Sequence, residues 1–126
     1  MKKNSSYKKK TLVFGASLNP MRVSHMAVQR LQGKGLPVVA IGGRTGMIGD
    51  INVHKGNIEI DEIHTITLYM SEKRQSEYIE YLLSLKPKRI IFNPGAENMN
   101  FFLKARDLGI EVLNACTLVM LSTGQY

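Results

Sequence analysis

A chain of 126 residues, 44% hydrophobic and 21% charged, has enough apolar material for one core and too little length for two sizeable ones. Its single cysteine excludes an internal disulfide framework and suits a reducing cytoplasm. No apolar stretch approaches bilayer-spanning length, and Met1 to Lys10 lacks the apolar centre of a signal peptide, so a cytoplasmic protein with no membrane partner is expected.

The formal net charge is +7, but Lys2, Lys3, Lys8, Lys9 and Lys10 crowd the first ten residues; removing those five charges leaves +2 on the rest. Residues 1–10 therefore read as a basic, flexible tail in front of a single domain at residues 11–126. No aromatic-rich basic motif accompanies the tail, which disfavours a nucleic-acid partner.

Thr11 to Phe14 is a short apolar run closed by Gly15, the pattern of a strand buried on both faces. A helix should follow, with Asn19 as its cap, Pro20 at its first position, Met26, Ala27, Leu31 and Val23 facing inward, and Gly33 and Gly35 at its end. Pro37 to Ile41 is a second strand, followed by a glycine-rich loop from Gly42 through Gly43, Arg44 and Gly46 to Gly49. Asn57 to Ile60 suggests at most a short edge segment, and Thr65 to Met70 a third strand whose alternation implies partial exposure.

Ser71 is placed to cap a helix that presents Tyr78, Ile79, Leu82, Leu83 and Leu85 to the sheet. Arg89 to Phe92 is a fourth strand; the loop Asn93 to Ala96 leads to a helix from about Glu97 to Leu108. Gly109 stops that helix, Ile110 to Leu113 is a fifth strand, and Cys116 to Leu121 a short terminal helix. Strands alternating with helices imply right-handed crossovers and a parallel sheet covered on both faces. The fold class is α/β: a Rossmann-like three-layer sandwich around a five-stranded, mostly parallel sheet.

Such a sheet binds ligands beyond the carboxyl ends of its strands, where strand order reverses. There the turn after the first strand meets a helix start, whose free N–H groups and positive end attract anions. Gly15 permits the tight turn, Ala16 leaves room for a diphosphate, Ser17 offers a hydroxyl, and Asn19 can order the loop or reach the ligand. Arg22 and Ser24 add charge and hydrogen bonds.

The dinucleotide fingerprint would place glycine at positions 15, 17 and 20, and only Gly15 is kept. It also expects an acid after the second strand, where Gly42, Gly43 and Arg44 stand instead. An acid would repel a phosphorylated ribose, whereas an arginine grips one bidentately. NAD is therefore disfavoured, and NADP or another ligand with a phosphate on its adenosine ribose is favoured.

The segment GASLNPMRVS, Gly15 to Ser24, resembles the coenzyme A-binding domain family. That family includes stand-alone bacterial CoA-binding proteins and the N-terminal domain of the succinyl-CoA synthetase alpha subunit. The resemblance continues at Gly42 to Gly46, at Tyr69-Met70, at NPGAEN (Asn93 to Asn98) and at GIEVLNAC (Gly109 to Cys116). It implies that Gly15, Ala16, Ser17, Asn19 and Pro20 wrap the CoA diphosphate, with Arg22 and Ser24 assisting. Gly42, Gly43 and Arg44 would sit near the adenosine and its 3′-phosphate. Tyr69 and Met70 would lie against the adenine or pantetheine, with Pro94 and Gly95 flanking the pantetheine path.

The expected ligand is thus CoA or an acyl-CoA, with NADP as the alternative. The synthetase relatives take their phosphorylated histidine from a separate domain, so this chain is expected to lack a complete catalytic set. A minimal NADP-dependent oxidoreductase and a nucleotide-sensing regulatory module are the competing readings, and a partner subunit or homo-oligomer stays open. Cys116 reads as a small buried side chain rather than a thiolate nucleophile. His25, His54 and His64 lack metal-ligand spacing, and no metal is expected. Asp61, Glu62 and His64 read as solvated loop residues, Tyr78 and Tyr81 as core or helix flank, and Glu97 as a helix-opening acid.

Overall fold

The computed structural model describes residues 9–126. Residues 1–8, most of the expected basic tail, lie outside the described residues. Seven strands form one sheet in the order β3-β4-β2-β1-β5-β6-β7. They are β1 (Thr11–Ala16), β2 (Val38–Gly42), β3 (Gly46–Ile48), β4 (Ile51–His54), β5 (Thr65–Leu68), β6 (Arg89–Phe92) and β7 (Glu111–Asn114). All neighbours pair in parallel except β3 with β4. The helices are α1 (Val23–Gly33), α2 (Glu72–Gln75), α3 (Ile79–Ser84), α4 (Met99–Asp107) and α5 (Thr117–Ser122).

β1 lies at the middle because its residues have no polar face to spare: Leu12 and Val13 are fully buried, and Phe14 is nearly so. Leu12 and Phe14 point to one side, where Leu82 of α3 and Phe101 and Ala105 of α4 complete a core with Ile66, Leu68, Ile90 and Phe92. Phe92 and Phe101 meet edge to face there, at 5.3 Å and 88°. Val13 points to the other side, towards Val28 and Leu31 of α1 and Leu121 of α5. These are the three layers.

From β1 the chain runs outward through β2 to the hairpin, then returns to place β5 on the other side of β1. Strand order therefore reverses between β1 and β5, the position at which open α/β sheets form a crevice. The registers are flush there: Phe14 pairs with Leu68, Leu68 with Phe92 and Phe92 with Asn114. The loops after β1, β5 and β6 consequently leave the sheet side by side.

The sheet has two strands more than expected. β3 and β4 form a hairpin within the glycine-rich segment, turning through Gly49 at φ +60° and Asp50. The Asn57 to Ile60 segment forms no strand; its Ile58 and Ile60 pack against the core instead. β5 is buried along its whole length rather than partly exposed. Its threonines look amphipathic in sequence, yet their hydroxyls are satisfied inside, Thr65 by Arg89 Nε at 3.0 Å and Thr67 by Asn93 Nδ2 at 2.7 Å.

Helix starts also differ. Asn19 closes a turn before α1, accepting from Met21 N through Oδ1 and from Arg22 N through its carbonyl, each at 3.0 Å. Pro20 lies in that turn and α1 begins at Val23 with Arg22 as its N-cap. The buried face of α1 is Ser24, His25, Ala27, Val28 and Leu31; Met26 is half-buried and Val23 exposed. The helix expected after Ser71 breaks into α2 and α3, and the Ser71 side chain makes no cap bond. α4 is capped by Asn98, which accepts from Phe101 N at 3.1 Å, while Glu97 accepts from Gly95 N at 2.9 Å and closes the preceding loop.

Candidate functional site

A cleft of about 680 Å³ opens where strand order reverses. That is a common size for a small-molecule site. Its first wall is the β1–α1 connection: Gly15, Ala16, Ser17, Leu18, Asn19, Met21, Arg22, Val23 and Ser24. Gly43 and Arg44 enter from the end of β2, Tyr69, Met70 and Arg74 from the end of β5, and Pro94 from the end of β6.

Gly15 is required twice over. Its φ is +96°, and a Cβ there would stand 3.2 Å from the Tyr69 carbonyl carbon and 3.3 Å from Met70 N. The β1 and β5 loops thus touch backbone to backbone. Gly42 shapes the cleft from outside its lining: the β1–β2 register slips between Phe14 and Ala16, and a Cβ on Gly42 would lie 2.1 Å from the Ala16 carbonyl oxygen.

The β1 loop is wound on its own polar groups. Ser17 N donates to Ser24 Oγ at 3.1 Å, Asn19 N donates to Ser17 Oγ at 3.1 Å, and His25 Nδ1 lies 2.9 Å from the Ser17 carbonyl oxygen. A carbonyl only accepts, so Nδ1 of His25 carries the hydrogen. The amides of Ser17, Asn19 and Met21 are therefore spent on the loop itself. Among the described residues, those of Leu18, Val23 and Ser24 carry no hydrogen bond within the chain. All three residues line the cleft.

The second wall is held from behind by buried amides. Gln75, fully buried, donates from Nε2 to the carbonyls of Met70 and Ala96, each at 2.7 Å, and accepts from Asn98 Nδ2 at 2.9 Å. Asn93, 2% exposed, donates to Thr67 Oγ1 at 2.7 Å and the Leu68 carbonyl at 3.0 Å, and accepts from Thr117 N at 2.8 Å. One amide thereby ties β5, β6 and the start of α5 together. The Tyr69 hydroxyl is enclosed and makes no hydrogen bond. Burial, only partly offset by neighbouring Thr67 and Thr117, pushes its pKa up to about 12.

Three arginines, Arg22, Arg44 and Arg74, line the cleft, and no aspartate or glutamate does. The ion pairs among the described residues, Lys104–Glu80 and Arg106–Asp107, lie elsewhere. The cleft is an uncompensated cationic surface suited to a polyanion.

Of the residues singled out in the sequence, Gly15, Ala16, Ser17, Asn19, Arg22, Ser24, Gly43, Arg44, Tyr69, Met70 and Pro94 line this cleft. Pro20, Gly42 and Gly95 stand beside it without lining it. Leu18, Met21 and Val23, inside the Gly15 to Ser24 segment but with no ligand role evident in sequence, also line it, as does Arg74 from outside that segment; Met21 and Val23, 80% and 46% exposed, put apolar surface at the rim. Cys116 is half-buried at the N-cap of α5 and does not line the cleft. Among the described residues no helix is long and apolar enough to cross a membrane.

Sheet order, crossovers and the cleft at the reversal point define a Rossmann-like α/β fold. The chain belongs to the CoA binding domain family, whose pattern it matches over residues 9–122. The structure is similar to that of an uncharacterized protein at 38% identity, covering 94% of this chain and 98% of the other, with a TM-score of 0.91. A hypothetical protein from Pyrococcus horikoshii OT3 shares the fold at 21% identity, over 97% of this chain and 87% of that one, with a TM-score of 0.83. So does part of the dinucleotide-forming acetyl-coenzyme A synthetase 1 of Ca. Korarchaeum cryptofilum, solved with phosphate and ADP. There the identity is 16%, over 85% of this chain and 25% of that one, with a TM-score of 0.70. No curated protein matches the chain.

Proposed function

We propose that this chain binds CoA or an acyl-CoA in the cleft between the ends of β1 and β5. The observation that carries the reading is the set of three arginines facing one cleft with no carboxylate among its lining residues. CoA brings a diphosphate and a 3′-phosphate, and charge-assisted bonds to guanidinium are among the stronger ones available to it. Family membership supplies the rest of the support.

In this reading Gly15, Ala16, Ser17, Asn19 and Pro20 shape the bed for the diphosphate, with Arg22 and Ser24 at its edge. The unspent amides of Leu18, Val23 and Ser24 are the backbone donors offered to it. Gly42, Gly43 and Arg44 border the adenosine and its 3′-phosphate. Tyr69 and Met70 form an apolar wall for the adenine or pantetheine, and Pro94 and Gly95 flank the pantetheine path. The chain holds its ligand without a complete catalytic set of its own, and any reaction needs groups supplied by a partner.

NADP is the second reading, favoured by one observation: β2 ends in Gly42, and the residues after it are Gly43 and Arg44 rather than an acid. Replacing Ser17 with tryptophan tests the location of the site. Calorimetric titration should show CoA binding abolished while circular dichroism and melting stay close to wild type; unchanged affinity would remove the β1 loop from the account.

A further inference from the structure

The fold gives the arginine of the second wall a definite place. Arg74 lies in the short turn of helix α2, directly after the β5 loop, and its own amide bonds the Ser71 carbonyl at 3.0 Å. The next residue, Gln75, is fully buried and bound to Met70 and Ala96. The backbone under Arg74 is thus fastened to the loops on both sides of it. Lys73, its other neighbour, does not line the cleft.

Arg74 and Arg44 stand on opposite sides of β1, because β2 and β5 flank that strand. Two strand spacings, about 10 Å, separate the ends of β2 and β5. Arg22 belongs to the wall facing Arg74, and the two walls meet where Gly15 abuts Tyr69 and Met70. No carboxylate pairs with Arg74 among the described residues. Like charges brought to one cleft repel unless an anion lies between them.

We propose that Arg74 and Arg22 clamp the ligand's diphosphate from the two walls of the cleft, while Arg44 alone reads the ribose phosphate. This rests on the CoA reading above and adds a residue and a division of labour to it. Arg74 would help set affinity for any nucleoside diphosphate derivative. It would not help the protein tell CoA from dephospho-CoA.

The test is calorimetric titration of wild type, Arg74→Gln, Arg74→Lys and Arg44→Gln with CoA and with dephospho-CoA. Arg74→Gln should weaken both ligands roughly ten- to hundredfold and leave their affinity ratio as in wild type. Arg74→Lys should recover part of the loss, and Arg44→Gln should collapse the ratio. The Arg74 side chain is exposed, so the melting temperature of its variants should match wild type. Unchanged affinity in Arg74→Gln, or a loss confined to CoA, overturns the clamp while leaving the CoA reading intact. Failure of wild type to bind either ligand overturns both.

Discussion

His25 Nδ1 holds the Ser17 carbonyl at 2.9 Å, and the residue before it, Ser24, takes the Ser17 amide at 3.1 Å. The first turn of α1 thereby grips both backbone groups of the residue at the centre of the β1 loop. His25 is only 7% exposed, so its role is to set the loop's shape. His25→Ala should cost about 1 kcal/mol of stability, the usual size of one lost hydrogen bond. It should weaken CoA by a larger factor than it weakens the fold. Urea unfolding and calorimetric titration of the same preparation measure the two effects.

Adjacent glycines at the end of β2 should behave oppositely. An alanine at position 42 would meet the Ala16 carbonyl oxygen at 2.1 Å, a backbone atom that cannot swing aside. At position 43 nothing lies within 4 Å. Gly42→Ala should lose about 1–3 kcal/mol through forced separation of β1 and β2. Gly43→Ala should leave stability unchanged or raise it by a few tenths to about 1 kcal/mol. Chemical denaturation midpoints distinguish the two directly.

Stability should fall at both ends of the pH range for identifiable reasons. Burial, then the charges of Arg89, Lys9 and Lys88, lowers the His64 pKa below its ordinary 6.5. Thr65 Oγ1 accepts from Arg89 Nε, which leaves its hydrogen for His64 Nδ1 at 2.8 Å. A depressed folded value means the neutral ring's contribution is complete above pH 6.5 and is lost as pH falls through the folded pKa. Tyr69 runs the other way: with its pKa raised to about 12, its contribution is complete below pH 10 and is lost between 10 and 12. Melting curves across pH should show His64→Gln flattening the acid limb and Tyr69→Phe the alkaline one. Because the Tyr69 hydroxyl has no partner, Tyr69→Phe should not lower stability at neutral pH.

How much was legible in sequence depended on whether a signal was local. β6 is read at its own bounds, Arg89–Phe92, because a buried strand of a parallel sheet is a continuous apolar run between turn residues. The β3–β4 hairpin is hard to see because its strands have only three and four residues and its Gly49-Asp50 turn is one glycine among several in that segment. Thr65 and Thr67 look solvent-facing until Arg89 and Asn93, more than twenty positions on, are known to satisfy them. Asn19 has the composition of a helix cap, yet the same side chain closes an Asx turn just as well, and the turn wins. In the site, the β1 wall is contiguous and could be read as a unit. Arg74 could not, because its place in the same cleft as Arg22 follows only from β5 lying beside β1.

The central claim is that this cleft is built for CoA, and ranking four ligands by calorimetry tests it most directly. Titration of the full chain should give CoA the tightest binding, dephospho-CoA at least about tenfold weaker through loss of the Arg44 contact, NADP weaker than CoA, and NAD weakest. NADP binding more tightly than CoA, or no binding of CoA at all, would contradict it.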